Sequence, residues 1–334
     1  MAYCDNDEHV FVLGSDRSGT SLVGSILQTS SVYANYAAET KLLAECKYKY
    51  GDIRKEKSRN GFFADWFNSR QFKRSGLSRK EVIEAISEPE SYIQFLGIYM
   101  GMMANKQGLH RWVDSTPDNA YAIVEIAKTF PNAKVIHVIR DGRAVSASKA
   151  KLGWSGVKTS NFDKALYYSA LLWSRSINTI LKSKDVLGSR YHEIRYEELV
   201  ENPEMIIDQL SAFLCVSDFD KGIISGEYAK GSLNQKSPLH TPNSLYGDMN
   251  SGISNAAAYR WKKILSEKQI CKVEAYVKKT LHGLGYQIIC NSNASLLYIL
   301  IIKWRIGILA LKEKIKRHTP LGRYSVTPLE IGYD

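Results

Sequence analysis

The chain has 334 residues, 44 % of them hydrophobic, enough to bury a sizeable core and to exclude a wholly disordered polypeptide. A formal net charge of +11 points to anionic partners: a phosphorylated ligand, acidic substrates, a membrane surface or nucleic acid. The five cysteines are scattered, with no C-x-x-C pair, so reduced thiols and no structural zinc are expected; with a polar start that enters a strand by residue 10, the chain is expected to be cytoplasmic.

Val10-Phe11-Val12-Leu13 reads as a short buried strand, followed at once by Gly14-Ser15-Asp16-Arg17-Ser18-Gly19-Thr20-Ser21. Beyond the loop, Leu22, Val23, Ile26 and Leu27 fall at helical spacing. Strand, small-residue loop and helix N-terminus in that order make a nest of backbone N–H groups that holds a phosphate. The loop is similar to a Walker A loop, but Thr20 stands where the lysine belongs and the cation comes three residues earlier as Arg17. Such a loop is poorly suited to splitting a nucleoside triphosphate, and suits a donor whose leaving group is already good.

Residues 47–108 read as an insertion, basic over 47–80 and dotted with aromatics such as Phe62, Phe63 and Trp66, and are expected to act as an acceptor-binding lid or, equally, as a cap that covers the sheet. Arg111-Trp112-Val113 reads as the next strand, and Thr116-Pro117 as the cap and first turn of a helix from Asn119 to about Phe130. Lys134 to Ile139 is the clearest strand of the chain; His137 lies in its middle and is expected to be a buried core residue. Arg140-Asp141-Gly142-Arg143 then leads into another helix, and a long helix is expected from about Asp163 to Leu187. Tyr191 to Arg195 reads as a strand, Asn202-Pro203 opens a helix, and 231–258 reads as a mobile loop. Alternating strands and helices predict one α/β domain over 1–290, a mainly parallel sheet flanked by helices, with the site at the carboxyl ends of its strands.

Two segments carry a family resemblance. The Gly14–Ser21 loop resembles the 5′-phosphosulfate loop of sulfotransferases that use 3′-phosphoadenosine 5′-phosphosulfate, and Val135–Ser148 resembles their 3′-phosphate segment. Trp173, Ile194–Pro203 and the late Arg260-Trp261 extend the match over residues 8 to about 288. The arginine-type loop is most similar to a bacterial group related to protein-tyrosine and carbohydrate sulfotransferases. The resemblance implies that Ser15, Asp16, Arg17, Ser18, Gly19, Thr20 and Ser21 hold the 5′ end of the donor and that Arg140 and Ser148 grip its 3′-phosphate. Tyr196, Arg260 and Lys262 are implied as further donor contacts. Arg17 is implied to steady the charge that builds on the departing phosphate, and Glu39 to act as the base for an acceptor hydroxyl. No metal is implied. Related chains often carry a lysine where this one has Ser115, so either Arg17 works alone or a cation such as Lys262 or Lys263 reaches in from the late loop.

The tail, 291–334, lies beyond the resemblance. Residues 295–318 mix a strongly apolar block with Lys303, Arg305, Lys312, Lys314, Lys316 and Arg317, too charged for a transmembrane helix. A basic amphipathic helix is expected, lying on an anionic membrane or docked on the enzyme or a second subunit. The reading is thus a cytoplasmic sulfotransferase, peripheral at a membrane if the tail binds lipid, acting on a carbohydrate or a lipid-linked saccharide. A protein tyrosine is the alternative acceptor. A P-loop nucleotide kinase and a catalytically inactive nucleotide- or polyanion-binding protein are the rival classes; no nucleic-acid partner is expected, and a homodimer is left open.

Overall fold

The computed structural model describes residues 7–36, 38–154, 159–225, 253, 255–290, 300, 304, 308, 311 and 328–331. Among them, five strands form a single sheet: β1 Val10–Gly14, β2 Tyr33–Ala34, β3 Arg111–Asp114, β4 Lys134–Ile139 and β5 Tyr191–Arg195. Their order is β2-β3-β1-β4-β5, and every pairing is parallel. β2 is the strand that sequence reading does not anticipate; two residues carry no periodicity.

β1 lies at the centre with both faces covered, and its alternation shows which layer each side chain enters. Phe11 and Leu13 join one apolar cluster, Val10 and Val12 the other. The first cluster is completed by the helices Glu56–Trp66, Tyr92–Lys106 and Ile123–Thr129, and the second by Thr20–Leu27 and Pro203–Leu214. A third core holds the crossover from β4 to β5, the helices Gly142–Leu152 and Phe162–Ser183, against Glu267–Gly283. In β4, His137 is fully buried with Nδ1 2.7 Å from the Tyr191 hydroxyl, and burial pulls its pKa down to about 4, which keeps the ring neutral.

The structure amends several expectations. The expected helix of 119–130 is split into a 3₁₀ turn, Pro117–Ala122, and an α-helix, Ile123–Thr129. Its first turn is drawn tight because the Asn119 amide donates to Asp114 at the end of β3. The long helix stops at Ser183 and gives way to a short 3₁₀ turn. Residues 47–108, expected as a lid or a cap, pack as a helical layer in which Phe62, Trp66, Phe95 and Tyr99 contact one another in the core. The thiols are not all reduced: Cys271 and Cys290 form a disulfide that clips the segment after Glu267–Gly283 back onto that helix. Sequence spacing hides this pair, because a turn brings the two cysteines together. The disulfide removes the cysteine argument for a reducing compartment.

Nearly all of 231–258 and 295–318 lies outside the described residues. Within the tail, Leu300, Trp304, Ile308 and Leu311 have helical backbone. Further on, Leu329 is buried, Ile331 bridges to Ser69, and the Arg70 N–H donates to the Glu330 carbonyl at 2.7 Å.

Candidate active site

The carboxyl ends of β1, β3 and β4 open into one cavity of about 900 Å³. The Gly14–Thr20 loop forms its floor. Arg17 (φ 69°) and Gly19 (φ 103°) both take left-handed backbone, the alternation that turns successive N–H groups toward one point. A side chain at Gly19 would overlap the Tyr196 ring, so glycine is required there by contact as well as by φ. The Ser18 Oγ is buried with no hydrogen-bond partner among the described residues.

Arg140, at the end of β4, is buried and locks three segments together. It donates to the Arg17 carbonyl (2.9 Å) and the Ala257 carbonyl (2.6 Å), and its guanidinium lies 4.1 Å from the centre of the Tyr196 ring. Its Nε is also buried without a partner among the described residues. Behind it, Trp173 donates to the Arg140 carbonyl at 3.0 Å and fills the space that only a glycine at 142 leaves open. Two unsatisfied buried donors, Ser18 Oγ and Arg140 Nε, one in each phosphate-type segment, fit a ligand with two separate anionic groups.

The helix Gly142–Leu152 faces the loop with consecutive residues. Arg17 Nε donates to Ser148 Oγ (3.3 Å), and Lys149 Nζ, almost fully buried, donates to Asp16 (2.6 Å). The Arg17 guanidinium also sits 5.7 Å from the centre of the Trp154 ring. Burial, followed by the nearby Arg140, lowers the Arg17 pKa below its usual value.

On the far side, Glu39 is held by its neighbour. The Thr40 N–H donates to Thr116 Oγ1 and the Thr40 hydroxyl to Asp114, both at 2.8 Å. Asp114, fully buried, also receives the Thr116 N–H, the Thr116 hydroxyl and the Asn119 amide. Burial pushes the Glu39 pKa up to about 8; Lys41, 4.0 Å away, opposes the rise, and Asp16, Asp118 and Glu45 add to it.

Of the expected residues, Asp16, Arg17, Gly19, Thr20, Ser21, Glu39, Arg140, Ser148, Tyr196 and Arg260 line this cavity together. Ser15 and Ser18 are buried in the loop. Lys262 is not among the lining residues; its ammonium lies over the Tyr259 ring, and Lys263 does not line the cavity either. Ser115 is buried against Gly24 of the Thr20–Leu27 helix. Nothing from 47–108 lines the cavity. Sequence reading missed Lys41, Glu45, Asp118, Lys151 and Trp154, which do, and named Trp261, also on the wall, only within the resemblance. Lys151 had a signal, lying one helical turn beyond Ser148; the others did not.

The sequence profile of the sulfotransferase family matches residues 9–220. The chain belongs to the sulfotransferase family. That sets the kinase alternative aside. Protein-tyrosine sulfotransferase A of Caenorhabditis elegans is 24 % identical over 215 residues, covering 64 % of this chain and 51 % of that protein. Among solved structures, the sulfotransferase domain of the Synechococcus PCC 7002 olefin synthase aligns with a TM-score of 0.55 at 20 % identity, covering 83 % of this chain and 96 % of that one. A sulfotransferase domain from the curacin biosynthetic pathway aligns with a TM-score of 0.51 at 19 % identity, covering 85 % and 100 %. At such identities the structures report the sulfotransferase fold and not an acceptor.

Proposed function

We propose that this sulfotransferase moves a sulfuryl group from 3′-phosphoadenosine 5′-phosphosulfate to a hydroxyl of a saccharide. The observation that carries the reading is the meeting of Arg17, Arg140, Ser148 and Glu39 in one cavity, with an unsatisfied donor in each phosphate-type segment. The loop N–H groups and Thr20 would hold the 5′-phosphate; Arg140 and Ser148 would hold the 3′-phosphate. As the acceptor oxygen bonds to sulfur, the bond from sulfur to the bridging oxygen breaks, the acceptor proton passes to Glu39, and adenosine 3′,5′-bisphosphate leaves. Arg17 balances the charge that builds on its 5′-phosphate.

The carboxylates at the far end of the cavity and the accessible ring of Trp154 favour a saccharide, since carboxylates accept from sugar hydroxyls and a flat ring covers a sugar face. The similarity to a named protein-tyrosine sulfotransferase favours tyrosine as the second reading. The test is a melting curve with adenosine 3′,5′-bisphosphate, AMP and ADP, joined to transfer of labelled sulfate without added magnesium. The bisphosphate should raise the melting temperature and AMP barely, since losing hydrogen bonds to a charged group costs about 1.5–3 kcal/mol each. Equal stabilisation by ADP and the bisphosphate would refute the donor.

Four residues of the tail extend the reading. Leu300, Trp304, Ile308 and Leu311 each have helical backbone and lie three or four residues apart in sequence, and Trp304 is 67 % exposed. With the basic residues of 295–318, such spacing suits peripheral contact with an anionic membrane.

A further inference from the structure

The phosphate-type loop carries a charge of the wrong sign for its proposed ligand. Asp16 lies on the cavity wall, immediately ahead of Arg17. An ionised carboxylate accepts hydrogen bonds and donates none, so its side chain offers an anionic donor only repulsion; the backbone N–H is the part of Asp16 that can serve a phosphate. The Asp16 side chain is 36 % exposed, and its field reaches both Arg17 and Glu39. A lysine answers that charge from behind the loop. Lys149, on the Gly142–Leu152 helix, places its Nζ 2.6 Å from Asp16 Oδ2, and its side chain is 5 % exposed. An ammonium with so little access to water needs a fixed anionic partner, and Asp16 is one. Lys149 is not among the residues that line the cavity, so it touches the loop and not the ligand. The two partners are 133 residues apart, brought together because β4 lies beside β1. The field of Lys149 also reaches Asp118, where it opposes a rise in pKa caused first by burial and next by Asp16.

We propose that Lys149 is a positioning residue of the donor site: it holds the Asp16 carboxylate back from the 5′-phosphate and offsets its charge, so that the loop N–H groups and Arg17 act on the phosphate unopposed. The inference rests on reading the Gly14–Ser21 loop as the 5′-phosphate site. With an apolar residue in place of Lys149, the carboxylate keeps its place in the chain but loses this partner, and it can turn to Arg17, which its field already reaches. Both consequences weaken the hold on the 5′ end: like charge stands beside the phosphate, and the arginine is drawn into an ion pair. The 3′ end depends on Arg140, whose hydrogen bonds go to the Arg17 and Ala257 carbonyls and not to Asp16 or Lys149. A pair with a purely structural role behaves differently. Its loss loosens the helix against the loop and weakens every ligand of the cavity alike.

The test measures binding of adenosine 3′,5′-bisphosphate and adenosine 3′-monophosphate by calorimetry to the unaltered protein, to Lys149→Met and to Asp16→Asn/Lys149→Met. In Lys149→Met the bisphosphate should bind at least ~10-fold more weakly. The 3′-monophosphate, which lacks the group that meets the loop, should stay within about three-fold of its affinity for the unaltered protein. Removing the carboxylate as well should restore bisphosphate binding to within about three-fold. If Lys149→Met does not melt cooperatively, Asp16→Asn reads the pair from its other side: the ammonium then stands without this counter-charge, and the bisphosphate should bind about three-fold more tightly or better. Equal weakening of both nucleotides in Lys149→Met, no recovery in the double variant, or weaker bisphosphate binding to Asp16→Asn overturns the proposal. If the unaltered protein binds the bisphosphate no more tightly than the 3′-monophosphate, the donor reading falls and the inference with it. A bisphosphate preference that Lys149→Met leaves intact overturns the inference alone.

Discussion

At the scale of single residues, the site turns on two side chains in unfavourable surroundings. Glu39 can serve as a base only when ionised, and burial holds its proton to about pH 8. kcat/KM should therefore rise with pH by roughly tenfold per unit below that value and level off above it. Glu39→Gln should lower turnover and abolish the rising limb, while bisphosphate affinity stays close to that of the unaltered enzyme. A profile that stays flat between about pH 6 and 9, the span that brackets that value, would remove Glu39 from proton transfer. For Arg17, replacement by alanine should cut turnover by at least ~100-fold, the scale of losing one preorganised donor. Lysine there should rescue only partly, since it offers a point charge in place of a planar fork. Full rescue by lysine in a rapid-quench assay would show that charge alone suffices.

At the scale of elements, the unexpected feature is the clip on the Glu267–Gly283 helix. The disulfide holds Cys290 where its N–H, with that of Ile289, donates to Glu274. Glu274 pairs in turn with Arg143, whose guanidinium lies 4.4 Å from the centre of the Trp261 ring on the cavity wall. The closed loop spans 19 residues, a length for which a cross-link contributes on the order of 3 kcal/mol. Reductant should lower the melting temperature by roughly 5–10 °C and weaken bisphosphate binding; Cys271→Ser should match the reduced protein and no longer respond to reductant. A melting curve indifferent to reductant would show that the clip adds no stability. The alternating strands, the two phosphate-type loops and the buried His137 were legible because each depends on local pattern: a continuous apolar run, a glycine turn, an arginine at a strand end. The clip, the two-residue β2, and Glu45 and Asp118 were not. Each depends on which segments the topology brings together, and no local spacing encodes that. The 47–108 aromatics left a lid and a cap equally open for a related reason: their rings sit in the core, and composition alone does not separate that from an exposed lid.

At the scale of the whole molecule, the tail returns to the body of the enzyme. Leu329 is buried, the Glu330 N–H donates to Gln71 Oε1 at 3.1 Å, and Arg70 pairs with the Glu330 carboxylate at 3.3 Å. Truncation after Asn293 would remove this dock together with Leu300, Trp304, Ile308 and Leu311, so a loss of stability would not separate a membrane role from a structural one. Point changes do. Trp304 is 67 % exposed and Leu300 59 %, so Trp304→Ser with Leu300→Gln should leave the melting temperature within the range of ordinary surface substitutions, about 0.5 kcal/mol. The unaltered protein should bind vesicles containing phosphatidylglycerol, more weakly as salt rises, because each lysine or arginine near an anionic surface adds about 1 kcal/mol that salt screens. Its tryptophan emission should shift to the blue, and the shift should vanish in the double variant along with the binding. Sedimentation of the same two proteins supplies the opposing outcome: if the unaltered protein ignores vesicles but forms a dimer that the variant loses, these residues join two copies of the chain and the membrane reading fails.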